Sequence, residues 1–389
     1  MSRLLVGTGA STTADALSAG REAAAEAVAQ LNGCPVALVI VHVSVRYDPD
    51  VLLAGVRDVT GQARLVGSSS SGQIHQDTLV PPGQGVAVLV LGGQRHRFGV
   101  GSCTGLSESP WEAGRLLAHR ALDDLHAPRR EHAAVLLFSG GPGSDQQSLL
   151  NGVHRVAGAA VPVVGGVAGD DQHLKESFVL HGDRVLRDAA VAVWIDSPVI
   201  PQVAHGHGWE PTGLPLQVTH VEGTLVRELG GRPAMEVFRE RLLDKNGGPR
   251  IQDCCELRYR STHAFGLIEP DGKIRIRGAC VDEHGDLRTF VPLPQYGAVQ
   301  IVTCSPDSLL AVAQDVAERA LAVPDPSVLL VFSCVTRLNI LADREREEAK
   351  HLQAVARGVP VFGFYTYGEF ARTASVSGYH NATIVALAL

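Results

Sequence analysis

The sequence predicts an α/β protein made of three copies of a strand–helix–strand–helix–strand–strand unit, with largely parallel sheets and an inserted α+β lobe. Three observations carry this. Continuous apolar, β-branched runs ending in small polar residues occur at Val36–Ser44, Ala133–Ser139 and Ser327–Ser333. Each follows an Ala/Leu-rich stretch of helical texture. Each precedes a second strand that runs into a glycine-bracketed loop.

The apolar runs are strands buried on both faces, because a half-exposed strand would alternate. The helical stretches are Ala19–Leu31, Glu112–Leu125 and Ser308–Leu321. Before them lie short strands with Gly/Ser/Thr/Cys turns at Val6–Ser11, Gly99–Thr104 and Val299–Ser305. Asp15, Ser109 and Asp307 are placed to cap these helices. The bracketed loops are Leu65–Gly72, Val163–Gly169 and Val361–Gly368, and closing strands follow at Gly85–Leu91, Ala189–Ile195 and Ala382–Leu389. Helices linking such strands imply crossovers over a parallel sheet.

The span 201–295 has a different texture. Leu216–Val221 reads as a strand, and Arg232–Leu243 as a helix with Pro233 in its first turn. His263–Glu269, Lys273–Val281 and Leu287–Val291 read as strands separated by turns at Pro270–Gly272 and Glu283–Gly285. The expected organisation is an N-terminal domain, 1–200, holding two copies, and a C-terminal domain, 201–389. The latter joins the insertion, 201–295, to the third copy, 296–389.

At roughly 150 residues per domain, 389 residues suit two or three domains. A chain 45% hydrophobic and 19% charged buries a sizeable core, which excludes global disorder. The net charge of −7 argues against nucleic-acid or anionic-membrane partners. Seven cysteines without a CxxC pair argue against a disulfide framework and against a structural zinc site. Adjacent Cys254 and Cys255 rarely bridge each other without strain. The opening apolar run is too short for a signal peptide and is broken by Gly7 and Gly9. No apolar stretch approaches the roughly 18 residues of a membrane span. A soluble, cytoplasmic protein is expected. A homo-oligomer is compatible with the sequence, which does not set the oligomeric state.

Glycine-bracketed loops at strand ends let main-chain N–H groups approach a ligand, and open α/β sheets bind ligands beyond the carboxyl ends of their strands. Two of these loops are expected to face one pocket. The expected contacts are the hydroxyls of Ser68, Ser69 and Ser70, the acids Asp170 and Glu369, and aromatic walls from Tyr365 and Tyr367. Arg337 suits bidentate pairing with a ligand carboxylate. The competing reading makes the loops tight turns built for packing, with an internal partner such as Glu369 for Arg337.

No GxxxxGK[ST], HExxH or GxSxG motif is present. Gly7-Thr-Gly9 is half of a dinucleotide fingerprint, and the anion-cradle candidate Ser139–Asp145 loses an N–H at Pro142. The lysines are Lys175, Lys245, Lys273 and Lys350; none lies in a repeat loop, so a Ser–Lys dyad lacks its base. A binding protein is therefore expected rather than an enzyme. A hydrolase using a loop serine or Cys334 as nucleophile ranks last. His205 and His207 share one side of an extended chain but lack further metal ligands, so no metal is expected. If a haem b were bound, its axial ligand would come from His75, His207 or His380.

At these loops the chain resembles the FIST family (F-box and intracellular signal transduction), with tandem N- and C-terminal domains. Leu65–Ile74 is similar to an IGCSTAGEI-like motif, and Val164–Asp170 to a second glycine motif. Gly206–Pro211 with Val218-Thr219 resembles the join between the domains. Phe332–Arg337, Gly363–Glu369 and Tyr379–Thr383 match the C-terminal domain best. Gln73 stands where an acid is common, and Ser69 departs from the usual Cys–Ser–Thr mixture. The resemblance implies a sensory protein that binds small molecules such as amino acids. One branch is similar to haem-based nitric-oxide sensors that act on kinases or cyclic-dinucleotide enzymes. With no kinase or cyclase segment in the sequence, the expectation is a stand-alone sensor that relays ligand binding to a separate signalling partner.

Overall fold

The computed structural model describes residues 4–140, 143–242, 262–282, 284–372 and 378–389. Strands apolar on both faces need cover on both, and the mixed α/β fold supplies it with helices outside and other sheets inside. The first sheet runs in the order Leu5–Ser11, Val86–Gly92, Val36–Val43, Arg64–Ser69, Val179–His181, Arg184–Leu186. The second runs Arg97–Thr104, Ala189–Ser197, His132–Ser139, Val163–Val167, Glu369–Arg372, Tyr379–His380. The third runs Gln202–Gly206, Ile384–Ala388, Leu329–Cys334, Val361–Thr366, Gln73–His75, Thr78–Val80.

These sheets are mixed, which corrects the expectation of largely parallel ones. In the first, Val36–Val43 and Arg64–Ser69 are parallel. The closing strand Val86–Gly92 then inserts between Leu5–Ser11 and Val36–Val43, antiparallel to both. Each sheet is completed by strands from a distant part of the chain: the 179–186 hairpin joins the first, the 369–380 strands the second, and the 73–80 hairpin the third.

Two strands depart from their expected places. Gln202–Gly206, in the span assigned to the insertion, is the edge strand of the third sheet. Ala298–Thr303, expected to open the third copy, belongs to a fourth sheet, where it pairs with Leu216–Glu222 and His263–Ile268. The lobe thus enters between an edge strand and the helix Pro306–Ala320 that covers it. The fourth sheet continues through Leu225–Leu229, Leu287–Thr289 and Ile274–Val281 back to His263–Ile268, closing on itself around Val218, Phe265 and Ile301. Its helix begins at Ala234, because Arg232–Pro233 pairs as a short strand. Leu243, Lys245, Cys254, Cys255, Pro142 and Glu283 lie outside the described residues. Among those described, no helix is long and apolar enough to cross a membrane.

The inner faces of the first three sheets share one core, including Ile40, Val66, Leu136, Phe138, Leu330 and Phe364. His42 is sealed in it, with its ring stacked 4.0 Å from Phe364 and Nδ1 3.0 Å from Ser68 Oγ. Helices Ala16–Ala29 and Pro49–Thr60 cover the first sheet. Asp15 caps the former by accepting from Ser18 N, whereas the helix Pro306–Ala320 takes a capping box from Ser305 and Ser308 rather than from Asp307.

Glycines set the spacing of these layers. A Cβ on Gly7 or Gly9 would lie 2.0 or 2.2 Å from the carbonyl oxygens of Ala27 and Ala23. The Gly-Thr-Gly pattern is therefore a strand–helix seam, not a nucleotide fingerprint. In the parallel strand pairs, a Cβ on Gly67, Gly165 or Gly363 would lie 2.0, 2.0 or 1.8 Å from a main-chain oxygen of the neighbouring strand. Gly363→Ala is expected to cost about 1–3 kcal/mol of stability through overpacking. Urea unfolding measures this, and an unchanged midpoint would show that the pair can spread freely.

Candidate functional site

The three glycine-bracketed loops meet one another. Ser71 N donates to Tyr365 O (3.1 Å), Asp171 N to Ser70 O (3.2 Å), and Tyr367 N to Val167 O (3.0 Å). Exchange of strands among the sheets brings them together, and their main-chain donors are consumed in doing so. Ser68, Ser69 and Ser70 are buried at this junction. Ser69 Oγ donates to Phe178 O (3.3 Å), and Ser70 Oγ donates to Val43 O (3.2 Å). Ser68 is held against His42, and none of the three lines the cavity walled by Trp209, Tyr367, Tyr379 and Phe290. Here the packing alternative describes the serines, because their hydroxyls satisfy buried main chain.

A cavity of about 130 Å³ opens beyond the carboxyl ends of Leu329–Cys334 and Val361–Thr366. The third sheet, the loop after Asp170 and the fourth sheet enclose it. Trp209, Tyr367, Tyr379 and Phe290 form aromatic walls. Trp209 is oriented by Nε1 donating to Ala382 O (3.1 Å). Phe290, 48% exposed, marks the open side. Tyr367 is held by its hydroxyl donating to Asp170, and burial with that carboxylate pushes its pKa up. Gly368 makes room for Tyr379, whose hydroxyl would lie 2.4 Å from a Cβ there. Thr336, Asn339, Asn381 and His263 supply polar groups. Asn381 is 4% exposed, and its Oδ1 has no hydrogen-bond partner among the described residues. No Asp, Glu, Lys or Arg among the described residues lines this space.

Of the expected contacts, only Tyr367 lines the cavity. Tyr365 is buried and donates its hydroxyl to Glu348 (2.9 Å). Asp170 accepts from Leu174 N (2.9 Å), Lys175 N (2.6 Å) and Glu176 N (2.9 Å) besides Tyr367, so its oxygens brace the loop. Arg337 is fully buried against Glu348, with Nη2 also donating to Leu309 O (2.9 Å). Its partner is therefore internal, though not Glu369. Glu369 sits behind Cys334; its carboxylate accepts from Thr366 Oγ1 (2.6 Å) and Thr383 N (3.2 Å), and burial pushes it up to about 8. Cys334 lines the cavity, but burial and the Glu369 carboxyl push its thiol up, away from the thiolate a nucleophile needs.

Of the three axial candidates, two share a cavity and one stands elsewhere. His75 lies 3.2 Å from Thr8 Oγ1, away from the others. His207 and His380 line a second cavity together with His205, Glu269, Asp271, Lys273 and Arg275. His207 Nδ1 accepts from Trp209 N (2.9 Å), and burial holds the ring down at about 4. Such ionic walls do not fit the flat apolar slot a haem requires. Among the described residues no group of three His, Cys, Asp or Glu is arranged to hold a metal ion.

Trp209, Phe290, Thr336, Asn339 and Asn381 were not among the expected contacts. Trp209 and Asn381 stand inside the stretches Gly206–Pro211 and Tyr379–Thr383, so those motifs were the available signal.

Fold and cavity together describe a mixed α/β protein with an aromatic-walled cavity between its third and fourth sheets. The FIST N domain matches residues 37–232 and the FIST C domain residues 234–372. The chain belongs to the FIST family, whose domains are sensory domains of signal transduction. An uncharacterised protein of Mycobacterium tuberculosis is 26% identical over 97% of each chain. An uncharacterised protein of Methanocaldococcus jannaschii is 29% identical over 29% of this chain, which spans only 23% of that relative's length. Among solved structures, a chorismatase aligns over 100% of this chain and 98% of its own, with TM-score 0.37 and 10% identity. A cyanuric acid hydrolase from A. caulinodans aligns over 50% and 71%, with TM-score 0.29 and 12% identity. Likeness at this level carries no functional argument.

Proposed function

We propose that this protein is a sensory receptor whose ligand occupies the cavity walled by Trp209, Tyr367, Tyr379 and Phe290. The ligand is a small, uncharged, largely aromatic or apolar molecule with one hydrogen-bond donor for Asn381. The observation that carries this is the unpaired, buried Asn381 Oδ1 among aromatic rings, since buried acceptors are ordinarily satisfied. An amino acid is the competing ligand, but the acids expected to hold its ammonium, Asp170 and Glu369, are engaged within the chain. Binding suits the site better than turnover, because Cys334 is held as a thiol. The signal then passes to a separate protein, for which the family resemblance suggests a kinase or cyclic-dinucleotide enzyme.

Calorimetric titration with benzamide and phenol, beside the amino acids, tests this reading. The aromatic probes are expected to bind saturably, and Asn381→Leu to weaken them about threefold to tenfold, the worth of one hydrogen bond. Binding of amino acids alone, or aromatic binding indifferent to Asn381→Leu, would overturn the assignment.

A further inference from the structure

We infer that the second cavity, beside Arg275 and His380, is a binding site for a small oxyanion, a carboxylate or phosphate group. The inference is independent of the aromatic cavity. The cavity is about 190 Å³ and is lined on one side by Arg275 and Lys273 and on another by His205, His207 and His380. Its polar groups are incompletely used. Arg275 Nε and His380 Nε2 are buried and have no partner among the described residues. Arg277, two residues from Arg275 and on the same face of its strand, is not a wall of the cavity, but its Nε also lacks a partner among the described residues.

Among the described residues, the cations lining the cavity are paired, whereas Arg277 beside them has no salt-bridge partner. Lys273 pairs with Asp271 at 3.0 Å, and Arg275 pairs with Glu269. Arg277 is 5% exposed and donates to Tyr379 O (3.2 Å) and Ile276 O (3.3 Å); among the described residues no carboxylate is within ion-pair distance, and Glu269 acts on it only at longer range. A buried charge without a counter-charge is strongly destabilising unless something neutralises it. The Nε of Arg275 and the Nε2 of His380, when that nitrogen carries the proton, offer an oxyanion one donor each from two walls of the cavity. Glu269 and Asp271 at the rim do not oppose the anion fully, because each is already neutralised by its own cation.

The two cavities lie on opposite sides of shared segments. Tyr379 and Asn381 face the aromatic one, whereas His380 and Thr383 face the ionic one. The test titrates the full chain with inorganic phosphate and separately with acetate, at ionic strength held constant with sodium chloride. Saturable heat with either probe is expected, and the stronger probe identifies the head group. Arg275→Met should weaken that binding about tenfold to a hundredfold, the range of a charge-assisted hydrogen bond. His380→Phe provides a second variant that removes a donor without touching the arginines, and it too should weaken binding. No heat above the chloride control with either probe, or unchanged affinity in both variants, would overturn the inference. Asn381→Leu should leave anion affinity unchanged, which separates this site from the aromatic one.

Discussion

Arg337→Ala is expected to lower the unfolding free energy by about 3–5 kcal/mol, the cost of breaking a buried ion pair from one side. Both Arg337 and Glu348 have fully buried side chains. Removing the guanidinium leaves the Glu348 carboxylate with Ser333 Oγ and Tyr365 Oη, at 2.8 and 2.9 Å, as its donors. It also opens a void beneath the helix that carries Arg337. Arg337→Met combined with Glu348→Leu should cost less than Arg337→Ala, because no unpaired charge remains. Urea unfolding of the two variants decides this. A single variant within about 1 kcal/mol of the parent would show water reaching Glu348 and would restore Arg337 as a candidate for ligand contact.

The role of Arg337 shows where sequence reasoning runs out. Its place just beyond a buried strand was legible, because the unbroken run Ser327–Ser333 needs cover on both faces. Its partner was not, since Glu348 lies on a later helix and no local period relates the two. The bracketed loops behaved similarly. Their glycines announced close approach of main chain, but what approached was a neighbouring strand or another loop. For Gly363 it is the carbonyl of Val331, and for Gly169 it is Ser71, whose Oγ would lie 2.4 Å from a Cβ.

The mixed α/β class was likewise legible from apolar runs and helical stretches, whereas neighbour order was not. Two strands linked by a helix suggest adjacency, but Val86–Gly92 slips between Leu5–Ser11 and Val36–Val43, a choice made by pairing distant in sequence. Ala298–Thr303 misled for a related reason. Its pattern suits an edge strand before a helix, and only the alternative partner Gln202–Gly206 reveals that this edge of the third sheet is already taken. The cavity residues are dispersed in the same way: Trp209, Phe290 and Asn381 meet because the lobe folds back over the third sheet.

Acid is expected to destabilise the protein from about pH 6.5 downward, with His42 as a principal cause. Burial among Phe138, Phe362 and Phe364 holds its ring down from 6.5 to about 3. The unfolded chain therefore takes up a proton below pH 6.5 that the folded chain refuses. Stability from this group is full above 6.5 and falls by about 1.4 kcal/mol per pH unit until about pH 3. His96 and His207, each held near 4 by burial, act in the same direction. Glu369 opposes them: its folded carboxyl, raised to about 8, holds a proton that the unfolded chain releases above about 4.5, so its contribution grows as the pH falls through this window. The total slope thus mixes signs, and only a comparison isolates His42. His42→Phe should lose about 2 kcal/mol less than the parent between pH 6.5 and 5, whatever its stability at neutral pH. Urea unfolding of both proteins across that interval measures the difference. Equal slopes would mean that the core admits a protonated ring, which its three phenylalanine neighbours give no means of stabilising.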